Sequence, residues 1–316
     1  PAFQNLNNPI RDKIDEVSIW KAAALSGLDG WQQAAKTLPE NLELINTYPN
    51  AIFYPIALRT AEIALREGNR RKAEKILEMI DERKKDGESM ALAYASSFQY
   101  LNGELDRQKG DIESAKIHWS ELETGKDDLY RAKSRLAMAT LRYGEKEITI
   151  DKAIDSLEGL RYAWRGDELE TSINYNLGKL YLEKGEPVKA LGLMRMASSL
   201  IPNSEMGKTI NQVMHATFRD LYMTDKIQDL SPLEALTMYD EFAELVPEGA
   251  EGDRLARQLA ERLADVDLLP RAINLLKNQV DNRLSGLEGG TVAIRLASMQ
   301  VLDNKAVDAL TSLEKA

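Results

Sequence analysis

Near neutral pH, proton transfer and metal binding fall most readily to histidine. The sequence has two, His118 and His215, about a hundred residues apart. Neither has a second histidine at the i, i+4 spacing of a helical zinc site. Glu121 follows His118 by three residues, so a helix would put both on one face, but two ligands do not make a metal site. Both histidines are read as packed or partly exposed side chains. With no cysteine in the chain, disulfides, thiolate zinc sites and cysteine nucleophiles are excluded. Gly286 to Gly290 (GLEGG) has no strand before it, as a phosphate-binding turn requires, and is predicted to be a loop between helices. No EF-hand calcium loop and no nucleophile elbow occur. The run Asp81 to Asp86 (DERKKD) reads as a solvated helix end. These residue types, in this pattern, predict no catalytic centre, no metal and no cofactor.

Bulk properties narrow the partners. Lys and Arg number 41 against 51 Asp and Glu, a net charge of −10 with pI near 5.0. Phosphate backbones and anionic membranes select basic surfaces, so nucleic acid and direct membrane adhesion are both disfavoured. No apolar run approaches the roughly 20 residues of a membrane-spanning helix. The apolar stretch Ala51 to Leu58 is short and is expected to be broken at Pro55. The chain starts at Pro1 without a Met and stops at Ala316 inside a predicted helix, so it is expected to be an excerpt of a longer chain. Absence of cysteine together with that missing start leans towards the periplasm over the cytoplasm.

The elements that must position any site emerge from a repeat. In each copy an alanine is followed four and seven residues later by apolar residues, which share one helix face. The copies are Ala73, Leu77, Ile80; Ala115, Trp119, Leu122; Ala153, Leu157, Leu160; Ala190, Met194, Ala197; Ala235, Tyr239, Phe242; Ala272, Leu276, Gln279; and Ala309, Leu313, Ala316. Only Gln279 departs from the apolar rule. Twelve residues before the alanine stands a small residue in five copies: Ala61, Gly103, Gly178, Ala260 and Ala297. Five residues before it stands a turn former: Gly68, Gly110, Gly185, Asp267 and Asn304. Such a residue closes the first of two helices by taking positive φ. Pro202 and Pro247 end second helices.

The alanines recur at intervals of 42, 38, 37, 45, 37 and 37 residues. Insertions are expected at Gly144 to Ile150 and at Thr224 to Pro232. Residues 15–50, with Trp20, Ala23, Ala24, Gly30, Ala34 and Ala35, read as a degenerate helix pair that Pro39 breaks or kinks. Residues 1–14 read as an extended arm, and 51–316 as the repeat array.

Over Ala51 to Ala316 this pattern resembles the tetratricopeptide repeat family, in a divergent, bacterial-looking form. The segment Leu177, Gly178, Tyr181, Gly185, Ala190, Ala197, Pro202 carries the resemblance best. It implies an all-α, right-handed α-α superhelix of about seven to eight helix pairs, longer than the family's repeat of roughly 34 residues. It also implies a non-catalytic scaffold that holds a protein or peptide partner. The first helices would line the binding groove, and carry-over by repeat position places Tyr100, Glu104 and Arg107 there. Arg131, Arg135 and Arg142 follow from the next repeat, then Tyr175, Asn176 and Lys179, then Arg254, Arg257 and Glu261. Arg131, Arg135, Asn176 and Lys179 would form a basic stripe suited to an acidic segment or a terminal carboxylate. The two-carboxylate clamp known in the family is incomplete, because Ser134 and Met138 stand where it needs Lys and Asn. A structural module of a larger envelope or motility assembly is the second reading.

Overall fold

Two local rules build this molecule: a small residue where two helices cross, and a left-handed residue seven positions later where the first helix closes. The computed structural model describes residues 15–85, 90–165 and 168–316. The arm expected over 1–14, and Asp86 of the charged run, lie outside them. The described residues form sixteen α-helices and no strand, so the chain is all-α.

Compactness divides the chain into two units, Pro1–Lys208 and Thr209–Ala316. The first holds α1 (Asp15–Gly27) with α2 (Trp31–Thr37), α3 (Asn50–Arg66) with α4 (Arg70–Lys85), and α5 (Leu92–Lys109) with α6 (Ile112–Glu123). It continues with α7 (Asp128–Gly144) and α8 (Ile150–Ala163), then α9 (Glu168–Glu183) and α10 (Pro187–Leu200). Each second helix packs on its first, and α1, α3, α5, α7 and α9 also pack side by side in sequence order. Packing dominated by near neighbours in the chain is what a stack of repeats requires.

Positive φ falls just after seven first helices, at Asp29, Gly68, Gly110, Lys146, Gly185, Asp267 and Asn304, and also at Gly249 and Gly286. The five turn formers of the sequence pattern are all there. At each of the seven, the next N–H donates back to the carbonyl five residues earlier, as from Asn69 to Ala64 at 2.8 Å and from Glu186 to Tyr181 at 2.8 Å. That closure satisfies a helix-end carbonyl that would otherwise be orphaned. Seven residues before each stands a small residue: Ala22, Ala61, Gly103, Ala139, Gly178, Ala260 or Ala297, and all seven are buried. The first pair therefore obeys the rule with Ala22, Asp29 and Ala34. In the fourth pair, two extra residues lie between Lys146 and Ala153, where other copies have five-residue spacing.

Gly103 and Gly178 show why the small residue is needed. A Cβ on Gly103 would sit 2.5 Å from the indole nitrogen of Trp119, and one on Gly178 would sit 2.8 Å from Met194 Cγ. Trp119, Met138 and Ala115 form a local core with partly buried Tyr100. Helices α6 and α8 start on side-chain caps: Asp111 accepts from the Ser114 N–H and Thr149 from the Lys152 N–H.

Two expectations change. Pro55 does not break its segment, because it lies early in α3, which runs through it from Asn50 to Arg66. A proline there forfeits one N–H donor and leaves the later turns intact. Gly286 to Gly290 is not a loop but the first turns of α15 (Gly286–Leu302). Gly286 takes positive φ at the helix start, and Gly290 serves close packing, since a Cβ there would lie 2.8 Å from the Ala316 carbonyl oxygen. Pro39 follows the end of α2, as expected.

In the second unit, α11 (Glu205–Met223), which begins before the division, is followed by a 3-10 turn at Asp225–Asp229 and by α12 (Pro232–Glu241). Ser231 and Glu234 cap α12 reciprocally. The Tyr222 hydroxyl donates to the Ala235 carbonyl. Then come α13 (Ala250–Asp265) with α14 (Leu269–Asn282), and α15 with α16 (Ala306–Glu314). Gln279, the polar exception in the repeat, is buried and donates through Nε2 to the Asp253 carbonyl at 2.7 Å.

Candidate partner-binding groove

The side-by-side packing of α3, α5, α7 and α9 leaves a groove of about 540 Å³ in the first unit. Helix α3 contributes Arg59, Glu62, Leu65 and Arg66; α5 contributes Tyr100, Leu101 and Glu104. Helix α7 adds Leu129, Tyr130, Lys133 and Leu136, and α9 adds Glu168, Leu169 and Ser172. Within each helix these residues recur at spacings of three and four, so each helix offers one face.

Tyrosine rings from two repeats form the floor. The Tyr100 and Tyr130 centroids lie 5.8 Å apart, and Tyr100 also packs 6.0 Å from Trp119. The Trp119 indole N–H donates to the Tyr100 carbonyl at 3.1 Å, so the second helix fixes the first helix's aromatic residue. Burial holds both phenol pKa values above their usual range.

Charges line the walls. Glu62 is shared by two guanidinium groups, with Arg59 and Arg66 each 3.2 Å away. Arg66 also pairs with Glu168 at 2.5 Å and lies 3.6 Å from the centroid of Trp31. Glu104 is engaged by Arg107 at 2.6 Å and by Gln108 at 2.8 Å. Lys133 stands 5.2 Å from the Tyr130 centroid and 5.7 Å from that of Tyr100. Among the described residues no carboxylate lies within ion-pair distance of it. The groove thus offers apolar and aromatic surface beside a cation held by rings alone.

The residues predicted from sequence fall in different places. Tyr100 and Glu104 line the groove, and Arg107 is tied to Glu104. Arg131 and Arg135 are not among its lining residues. They reach back to the turn after α6, where Arg131 donates to the Gly125 carbonyl at 2.9 Å and pairs with Asp128, and Arg135 donates to the Glu123 carbonyl at 3.3 Å. Tyr175 and Lys179 continue the stripe of α9 that begins with Glu168 and Ser172. The Lys179 ammonium sits 4.8 Å from the Tyr175 ring, and partial burial lowers its pKa. Asn176 donates to the Ser172 carbonyl at 2.8 Å. Arg254 and Arg257 belong to the second unit, where Arg254 is exposed and Arg257 pairs with Glu288 at 3.0 Å. Ser134 and Met138 are buried, so neither presents a clamp side chain to the groove.

Sequence reasoning missed Arg59, Glu62, Arg66, Tyr130, Lys133 and Glu168. Register counted from the left-handed closure at Lys146 places Lys133 level with Arg254 of α13 and Ser172 of α9, each thirteen residues before its closure. His118 lies 3.4 Å from Asp106 beside a second, acidic groove, and no group of three or more metal-ligating side chains occurs among the described residues. No described helix is long and apolar enough to cross a membrane.

No protein-family model and no curated protein matches the chain. Among solved structures, the C-terminal part of a TPR repeat-containing protein from Cytophaga hutchinsonii is similar over 92% of this chain and 99% of that one, at 15% identity and a TM-score of 0.38. With a likeness that loose, the repeat reading rests on the closures and helix crossings of the chain itself.

Proposed function

We propose that this chain is a non-catalytic interaction scaffold that docks a segment of another protein in the groove formed by α3, α5, α7 and α9. One observation carries the reading. Four first helices from successive pairs present a continuous surface with an aromatic floor, apolar flanks and the Lys133 cation, which has no carboxylate partner among the described residues. Tyrosine anchors partners because its rigid ring buries area at little entropic cost, and the lysine ammonium supplies charged donors. An extended segment carrying apolar residues and a carboxylate complements that surface. Tyr175 and Lys179 extend it along α9, and Arg254 and Arg257 are proposed as a separate contact region of the second unit.

The test is site-specific photo-crosslinking from Lys133 in the native host, with Tyr130→Ala and Lys133→Glu chains as comparators in affinity capture. The expected result is a partner crosslinked at Lys133 and lost from both variants. A partner retained equally by wild type and both variants would place docking elsewhere.

A second reading, a module stacked within a larger assembly, is favoured by the last two helices. Leu313 is 46% exposed, whereas its counterpart Leu276 one repeat earlier is 1% exposed. Leu287, Val301, Leu302, Val307 and Leu310 are also exposed, and exposed apolar surface of this kind marks an interaction face. Charge substitution at Val307 and Leu310 that releases the chain from a native assembly, with the groove unaltered, would support it.

A further inference from the structure

Arg66 and Glu168 are 102 positions apart, yet they form a direct ion pair. Their helices, α3 and α9, are the outer members of the groove's row of four, so the pair closes the row on itself. We infer that Glu168 occupies, from within the chain, the place of an acidic residue of the docked segment. This rests on the docking reading above and adds the partner's chemistry and a mode of control.

Three features support it. Arg66 is held ready, because its guanidinium lies over Trp31, whose indole N–H is fixed by Asp29 at 2.9 Å. Glu168 is loosely committed: its side chain is 42% exposed, it stands at the first residue of α9, and Arg66 is its one ion-pair partner among the described residues. The charge balance also calls for an anion. Without Glu168, Arg59 and Arg66 share the single carboxylate of Glu62, Lys133 has none, and Glu104 is already engaged by Arg107. An incoming carboxylate recovers on Arg66 and Lys133 the interaction that Glu168 surrenders. A neutral segment would have to strand Arg66 half-paired or leave the closing pair in place. The groove therefore selects acidic segments, and Glu168 sets how tightly they bind, since a competitor within the chain lowers apparent affinity by the fraction of closed groove.

The experiment measures binding of two labelled peptides to the full chain by fluorescence anisotropy at low ionic strength. One peptide alternates leucine and glutamate, and its twin alternates leucine and glutamine. Glu168→Ala is the principal variant, and Glu168→Gln keeps the side-chain size should truncation disturb α9. The expected result is an affinity for the glutamate peptide about tenfold tighter in both variants, within the usual range of coupling, with the glutamine peptide unchanged. Unchanged or weaker glutamate-peptide binding in both variants would overturn the stand-in and leave Arg66–Glu168 as a brace. Glutamate-peptide binding that Lys133→Glu and Tyr130→Ala do not weaken, or no binding in any chain, would overturn the docking reading itself.

Discussion

Replacing Gly103 by alanine should destabilise the α5–α6 pair, although alanine is the better helix former. In an open helix interior the change gains about 1 kcal/mol. Here the new methyl would lie 2.5 Å from Trp119 Nε1 and 2.8 Å from its Cδ1. The indole cannot swing into solvent, because Trp119 is 1% exposed and its N–H is bonded to the Tyr100 carbonyl. Overpacking of this kind costs about 1–3 kcal/mol, and a lost hydrogen bond adds about 1. Less the helical gain, the net loss is about 2 kcal/mol. Gly159 is the control: it lies inside α8, and nothing stands within 4 Å of the added methyl. Gly159→Ala should therefore gain about 1 kcal/mol. Because stability in a stack of repeats is partly local, native-state amide exchange on α5, α6 and α8 is the assay, supported by urea unfolding. If Gly103→Ala protects α5 and α6 as well as the wild type does, the close-crossing account of the small residue is wrong.

Leu276→Ala should cost about 3 kcal/mol by leaving a cavity, while Leu313→Ala at the equivalent but exposed place should cost under about 1; paired urea titrations compare them. Lys146 takes positive φ without being glycine, so Lys146→Gly should stabilise the α7–α8 closure by about 1 kcal/mol, read as slower exchange of the Glu147 amide. Arg83 donates to the Tyr48 carbonyl at 2.8 Å and the Asn46 carbonyl at 2.5 Å and lies over the Phe53 ring; Arg83→Met should cost about 2 kcal/mol and free the turn before α3 for exchange. Burial raises the Tyr100 and Tyr130 pKa values in the fold. Above about pH 10 the unfolded chain gives up those protons first, so stability is fully present below that pH and falls as pH rises through it. Tyr100→Phe should flatten that alkaline decline in urea midpoints, and an unchanged slope would count against burial as the cause.

The fold was legible because both of its rules are local. A helix crossing that admits no side chain demands Gly or Ala, and a left-handed closure favours Gly, Asn or Asp, so both leave marks in residue type at fixed spacing. The first pair looks degenerate in sequence because Pro39 cuts its second helix short, yet the same spacing places buried Ala22 and Ala34 about the closure at Asp29. What could not be read was any pairing between distant helices. Nothing near Arg66 in the chain points to Glu168, and nothing near Glu168 points back, because that contact exists only once the two intervening helix pairs have set where α9 stands.

The misplacement of Arg131 and Arg135 has a specific physical origin. Carry-over by repeat position needs a common origin, and the key alanine follows the small residue by twelve in only five copies. In the fourth pair they are fourteen apart, Ala139 to Ala153, since two residues are added after the closure at Lys146. Two positions on an α-helix turn a side chain by about 200°, enough to exchange the groove face for the opposite one. Counting from Lys146 puts Lys133 and Leu136 six and three before the small residue; Ser172 of α9 lines the groove at six before Gly178. Tyr100 obeys the same count from Gly103, at three before. The closure, not the alanine ladder, is therefore the reliable origin for register in this chain. An insertion beyond the closure lengthens the connection to the second helix without rotating the first, so the groove keeps its face while the spacing drifts.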